Sequence, residues 1–295
     1  MANNSKKILH RIIYAKKSGG EYMINQFVEE ALRGKSEQTI KTYVHSINQF
    51  SDWLEGAGAD LSNYARSDVQ QYIDYLVSRR KSPATVNKIW NAIKKYSKWS
   101  QQENTIEDIS VVKPNNYKNE APKALDRLEL NRLIREIDRT ENKRDMAILQ
   151  VLLNTGLRLS ELVALDISDI EVSERKGQVT VIKGKGNKQR TVPLNKEARR
   201  ALVKYLEERS DNEEALFLSN RGKRISVRTV QYLIEKQGFN VHALRHTFIT
   251  GLVRSGQDIS VIQSLSGHSS ADMILRYSAP TPEDKQIAVE EIWAR

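Results

Sequence analysis

Gln178-Val-Thr-Val-Ile-Lys-Gly-Lys-Gly-Asn-Lys-Gln-Arg-Thr-Val192 breaks the pattern of the chain around it. Gln178 to Ile182 and Gln189 to Val192 are short runs rich in β-branched residues, which favour strands. Between them Lys183-Gly-Lys-Gly-Asn-Lys188 supplies the backbone freedom that a reversal needs. The predicted unit is a β-hairpin with a basic turn. On either side apolar residues recur every three to four positions, the period of helices. The expected fold class is therefore mainly α with a small antiparallel β-sheet.

Upstream of the hairpin, Leu125 to Ile137 and Arg144 to Asn154 read as helices. The second is apolar nearly all round, which places it in a core. Downstream the pattern is helical from residue 196 onward. It ends, after Pro280 and Pro282, in an amphipathic segment carrying Ile287, Ala288, Val289, Ile292 and Trp293. Further upstream, between Pro114 and Pro122, the chain turns polar and loses helical continuity, the signature of an interdomain linker. Before it the pattern predicts helices near 21–33, 37–56, 66–79 and 83–102, a small helical bundle. A chain of 295 residues suits two such domains, each with its own core.

Lys and Arg number 47 against 37 Asp and Glu, a net charge of +10 that divides evenly about residue 120. That excess favours a polyanionic partner, nucleic acid before an anionic membrane surface. The absence of cysteine excludes disulfide and thiolate chemistry. No apolar run is long enough to span a bilayer and none resembles a leader, so a cytoplasmic location is expected. In the last helix of the first domain Val86, Ile89, Trp90, Ile93 and Tyr96 share one face, and Lys88, Asn91, Lys95 and Lys98 lie opposite. Arg79, Arg80 and Lys81 stand just before it. This is either a solvated face or a duplex-binding one that positions phosphates without reading sequence.

Four local patterns carry chemistry: Thr155-Gly-Leu-Arg-Leu-Ser-Glu161, the basic hairpin turn, His242-Ala-Leu-Arg-His246, and Gly267-His268 followed by Tyr277. Thr155-Gly156 reads as a helix end. Glu161, three residues after Arg158, is within reach of its guanidinium, as a structural ion pair or as the support of a working arginine. His242 and His246 have metal-pair spacing, but the Glu that a zinc-protease motif requires is replaced by Ala243. Lys183 to Lys188 lacks P-loop spacing.

In types and order, Arg158, the hairpin lysine, His242, Arg245, His268 and Tyr277 resemble the tyrosine recombinase (phage integrase) family. The wording around them is similar to Xer-type enzymes and their transposon-borne relatives. Leu265-Ser-Gly-His268 departs slightly, since many Xer relatives have leucine where this chain has Ser266.

The resemblance implies a SAM-like helical core-binding domain over 21–113 after a tail at 1–20. A linker at 114–122 and a catalytic domain at 123–279 follow, with a protomer-exchange helix at 280–295. It implies catalytic roles for Arg158, Lys185, His242, Arg245, His268 and Tyr277, support from Glu161, and DNA contacts from Arg79, Arg80, Lys81, Lys88, Asn91, Lys95 and Lys98.

Chemically, two arginines suit the charge that grows on a phosphodiester under attack. Tyr277, whose ordinary pKa is about 10, needs a base, expected to be His242. Lys185 would protonate the departing 5′ oxygen, and His268 either donates to the phosphate or caps a helix. His246 is expected to be structural.

A 3′-phosphotyrosine conserves bond energy, so no cofactor and no metal is expected. The implied partners are double-stranded DNA with paired inverted core sites and three further copies of the chain, a homotetramer on two DNA sites, with no membrane. The implied function is site-specific recombination through a Holliday junction, serving a mobile element by cointegrate resolution or integration. Xer-type chromosome dimer resolution is the alternative. A vestigial DNA-binding regulator and a type IB topoisomerase stand further off.

Overall fold

The computed structural model describes residues 19–113, 122–182, 189–268, 270–280 and 282–292. Two compact units emerge, Met1–Asn116 and Tyr117–Arg295. Among the described residues no helix is long and apolar enough to cross a membrane.

The first unit contains α1 (Gly19–Ala31), α2 (Glu37–Gly56), α3 (Arg66–Ser78) and α4 (Pro83–Trp99), with a 3-10 turn at Glu103–Ile106. Ser36 and Ser82 cap α2 and α4, each hydroxyl accepting from the backbone N–H three residues on, and Pro83 occupies the first turn of α4. Phe27, Phe50, Ile93 and Tyr96 are fully buried at its centre. Phe27 meets Tyr96 edge-on with centroids 5.3 Å apart, and Phe50 meets Tyr64 in the same way. The helix expected over 83–102 stops at Trp99, because Ser100 caps it and Gln101 adopts a left-handed φ of 60°.

The second unit contains α5 (Arg127–Asp138), α6 (Lys143–Thr155), α7 (Leu159–Ala164), β1 (Ile170–Val172), β2 (Gly177–Val181), β3 (Arg190–Pro193), α8 (Lys196–Glu207), α9 (Val227–Glu235), α10 (Val241–Arg254), α11 (Ile259–Ser266), α12 (Asp272–Leu275) and α13 (Pro282–Glu291). The sheet is antiparallel in the order β1-β2-β3, with Val181 paired to Arg190 at the mouth of the hairpin. Its third strand, β1, has three residues, too few to show a period in sequence.

Helix α6 is buried through Ala147, Ile148, Leu149, Val151 and Leu152. Full burial of each large aliphatic side chain contributes about 1.5–3 kcal/mol. Asp126 and Glu129 cap α5 reciprocally, so that helix begins two residues later than expected, and Leu125 N donates instead to Thr247 Oγ1 at 2.8 Å.

Two other expectations are corrected. The chain is not helical throughout from residue 196. Between α8 and α9 it runs irregularly, pairing Asp166 with Ala215 and Leu218 with Arg224 in isolated bridges, and its Leu216 and Phe217 fill the core. Nor is α13 amphipathic, since Ile287 and Val289, two residues apart, fall on nearly opposite sides and both are exposed. Trp293 lies outside the described residues.

Candidate active site

The site lies in the second unit, where α7, α10, α11, β3 and the 3-10 turn Arg276–Ser278 surround a cavity of about 1030 Å³. Arg158, Arg190, His242, Arg245, His246, His268, Arg276 and Tyr277 line it, and among the described residues no carboxylate does.

Gly156 ends α6 in the left-handed conformation at φ 59°. A Cβ there would overlap the Phe248 ring, so glycine is required both for the turn and for close packing. The turn delivers Arg158 to the first residue before α7. Glu161, 2% exposed at its side chain, accepts from Arg158 Nη1 at 2.9 Å and from Arg158 N at 2.8 Å. Arg190 grips the same carboxylate from β3 with Nη1 at 3.0 Å and Nη2 at 2.7 Å. Burial alone would raise the Glu161 pKa, but hydrogen bonds from Arg190 and Arg158 outweigh it and hold the carboxyl at about 2. Its charge is therefore permanent at neutral pH.

The C-terminus of α11 does the rest of the positioning. Three successive carbonyls, those of Leu265, Ser266 and Gly267, accept from Arg190 Nε at 3.0 Å, Arg245 Nη2 at 2.7 Å and Arg158 Nη2 at 2.9 Å. These are the carbonyls a helix end leaves unpaired, where cations are favoured. Gly267 has φ 66°, and a Cβ on it would stand 2.9 Å from Arg190 Nη1. Arg245, 8% exposed, also donates to Gly156 O. Burial and the neighbouring Arg158 charge lower its pKa to about 10, which leaves it charged at neutral pH.

His268 follows at the end of the same turn. Its Nδ1 is 3.0 Å from Ser266 Oγ and its Nε2 is 3.3 Å from Arg245 Nη2. Burial, with Arg245 and Arg158 nearby, lowers its pKa to about 4, so the ring is neutral and presents one donor and one acceptor. Tyr277 sits with Ile249, Ile262 and Ile274 in a small apolar cluster apart from the main core, and its hydroxyl emerges 2.8 Å from His246 Nδ1. Burial raises the Tyr277 pKa while Arg245 and Arg276 pull the other way.

Arg158, His242, Arg245, His268 and Tyr277 thus come together around one cavity, with Glu161 held behind Arg158 and Arg190. Lys185 lies outside the described residues. His242 is exposed on the cavity wall, and its side chain makes no hydrogen bond to another described residue. His246, expected to be structural, is the histidine that touches Tyr277. Sequence reasoning also passed over Arg190, whose only signal was an arginine inside a β-branched strand. Among the described residues no cluster of His, Asp and Glu is arranged to hold a metal ion.

In the first unit Asn91, Lys95 and Lys98 line a shallow groove of about 430 Å³ with Lys94 and Trp99. Lys88, Arg79, Arg80 and Lys81 are exposed outside it.

Residues 123–284 match the phage integrase family, and 23–107 match the phage integrase N-terminal SAM-like domain. The chain belongs to the phage integrase family. It is similar over 281 residues, at 33% identity, to the tyrosine recombinase XerA of Thermococcus kodakarensis, covering 90% of this chain and 95% of that protein. Its fold is similar to that of the XerH site-specific recombinase bound to palindromic difH substrate, with TM-score 0.71 and 20% identity over 92% of this chain and 85% of the other. A second structural neighbour is the Tn1549 transposon integrase in complex with a circular intermediate DNA, with TM-score 0.68 and 20% identity over 92% and 98%. The protein is thus an enzyme of the tyrosine recombinase class, built from the family's SAM-like and catalytic domains.

Proposed function

We propose that the protein cuts and rejoins DNA at specific sites, with Tyr277 attacking a phosphodiester to form a 3′-phosphotyrosine and exchange proceeding through a Holliday junction. The observation that carries this reading is the Tyr277 hydroxyl emerging from an apolar cluster into a cavity rimmed, among the described residues, by four guanidinium groups and no carboxylate. A phosphodiester becomes more negative as it is attacked, and donors already fixed in place stabilise that charge without reorganising. Arg158 and Arg245 take the non-bridging oxygens with the N–H groups that their carbonyl and carboxylate bonds leave free. His268 is assigned a further hydrogen bond to the phosphate, donated from Nε2 once Arg245 turns to the substrate and Ser266 Oγ donates to Nδ1. His242, on the cavity wall, is available for proton exchange with solvent, and Lys185 is assigned the 5′ leaving oxygen.

The groups of α4 and the turn before it, Arg79, Arg80, Lys81, Lys88, Asn91, Lys95 and Lys98, are assigned to the duplex backbone. The working assembly is a homotetramer on two DNA sites with inverted core sequences, with segment 280–295 docking on a neighbouring protomer.

For the task served we propose a mobile element, by cointegrate resolution or integration, on the likeness of the catalytic wording to transposon-borne relatives. Xer-type chromosome dimer resolution is a second reading, favoured by the 33% identity to a protein named XerA.

Incubating the protein with a nicked DNA site tests the chemistry. A covalent adduct resistant to SDS is expected, and Tyr277→Phe abolishes it; an adduct that persists in this variant overturns the nucleophile. Sequencing the DNA trapped in that adduct separates the tasks, as element ends or as one chromosomal site.

A further inference from the structure

We propose that His246, through Nδ1, accepts the proton of the Tyr277 phenol during strand cleavage and returns it during rejoining. This rests on the reading of Tyr277 as the nucleophile. Nδ1 and Oη are 2.8 Å apart, the separation of a formed hydrogen bond. No other ring nitrogen among the described residues bonds that hydroxyl.

Protonation states give the bond its direction. Burial raises the Tyr277 pKa above its ordinary 10, so the phenol holds its proton at neutral pH and is the donor. Burial, then the charges of His242, Arg245 and Arg276, push the His246 pKa below 6.5, so the ring is neutral with a lone pair to offer. When Nδ1 is the acceptor, the ring proton is on Nε2. The titratable and charged groups facing this ring are His242 and Arg245 on its own helix, Arg276 and Tyr277 on the 3-10 turn, and His268 after α11. None of them carries a negative charge that would keep the ring protonated.

His246 follows Arg245 directly on α10, so the base and the most deeply held phosphate-binding guanidinium are fixed by one rigid helix. His242, one turn earlier, is exposed and lacks a side-chain partner among the described residues. In cleavage the Tyr277 Oη–P bond forms as the P–O5′ bond breaks. The phenol proton moves to His246 Nδ1, giving an imidazolium, and the 5′ oxygen takes a proton from a separate donor, a lysine ammonium by family resemblance. In rejoining a 5′ hydroxyl attacks phosphorus, its proton goes to that amine, and Tyr277 Oη leaves with the proton held on His246.

Single-turnover cleavage of a nicked DNA site, measured from pH 5 to pH 9, tests the assignment. It is run with an ordinary phosphodiester and with a 5′-bridging phosphorothiolate, whose sulfur leaves without protonation. Wild-type rates are expected to fall on the acid side with an apparent pKa below 6.5. His246→Asn is expected to be about 100-fold slower at pH 7, to lose that acid limb, and to stay slow on the phosphorothiolate. His246→Gln repeats the measurement in a second side chain, and His242→Asn is expected to keep the acid limb. A rate for His246→Asn within twofold of wild type, an acid limb that survives in it, or a defect erased by the phosphorothiolate overturns the proposal. Tyr277→Phe is run alongside: adduct formation in that variant defeats the recombinase reading itself, whereas a normal His246→Asn beside a dead Tyr277→Phe defeats the proton acceptor alone.

Discussion

The two units hold positive charge in opposite ways. On α4 and the turn before it the cations are lysines and arginines at the surface, with Lys88 and Lys98 exposed and without a salt-bridge partner among the described residues. In the catalytic cavity they are arginines, and Arg158, Arg190 and Arg245 are each tied to a different carbonyl of the Leu265–Gly267 turn. A mobile exposed ammonium binds a phosphate wherever the backbone presents it and is screened by salt. A guanidinium held on a carbonyl and a carboxylate binds one geometry and loses little freedom in doing so. The first arrangement suits holding a duplex, the second suits a transition state.

Exchanging one charge type for the other gives the largest effect. Arg245→Lys keeps the charge but cannot donate to both Gly156 O and Ser266 O while serving a phosphate. Single-turnover cleavage is expected to fall by about 10²–10³ with DNA affinity within twofold. An equal loss in affinity would mean that Arg245 binds ground state and transition state alike.

Removing the anion under the cavity comes next. Glu161→Gln leaves Arg158 and Arg190 without their shared carboxylate in a buried setting. Thermal unfolding is expected to show a loss of about 3 kcal/mol. A change below about 1 kcal/mol would make this ion pair a surface-like one.

On the other side, Lys88→Ala, Lys95→Ala and Lys98→Ala combined are expected to leave the first-order cleavage rate of bound substrate unchanged. They should weaken binding about tenfold at 0.15 M salt and reduce the slope of log K against log salt by about 2 to 3. An unaltered slope would return this face to ordinary solvation.

The smallest effect is a pH dependence of stability. His268 has a folded pKa of about 4 against an ordinary 6.5, so the unfolded chain takes up the proton first as pH falls. Its contribution is complete above pH 6.5 and lost between 6.5 and 4. After allowance for screening of a partly exposed ring it amounts to about 1–2 kcal/mol. Glu161, held at about 2 against 4.5, gives stability that is present above pH 4.5 and lost as pH falls through 2. Denaturant midpoints from pH 7 to pH 4 should fall in wild type and flatten in His268→Asn.

The part of the fold legible in sequence is the part fixed locally. The apolar period marked α2 from Glu37 to Gly56, and the β-branched runs marked β2 and β3. What escaped depended on distant partners. Strand β1 has no period of its own, and the segment between α8 and α9 is ordered by core packing and bridges to residues far away in the chain.

The same division runs through the site. Arg158, His242, Arg245, His268 and Tyr277 stood out by order and spacing. That Arg190 bridges to Glu161 follows only from the docking of β3 beside α7 and α11. His242 and His246 lie one helical turn apart on the same face, and only the seating of Tyr277 on Ile249, Ile262 and Ile274 decides which of them meets the phenol. Ser266, noticed only as a departure from a leucine, proves to hold the His268 ring through its hydroxyl.

The chain has 11 tyrosines, and one of them, Tyr277, is assigned the attack on DNA. The direct measurement is to trap the covalent complex on a nicked DNA site, digest protein and DNA, and identify the nucleotide-bearing peptide by mass spectrometry. A 3′-phosphonucleotide is expected on Tyr277 and on no other residue. A nucleotide on any other side chain, or one joined through a 5′ phosphate, would contradict it.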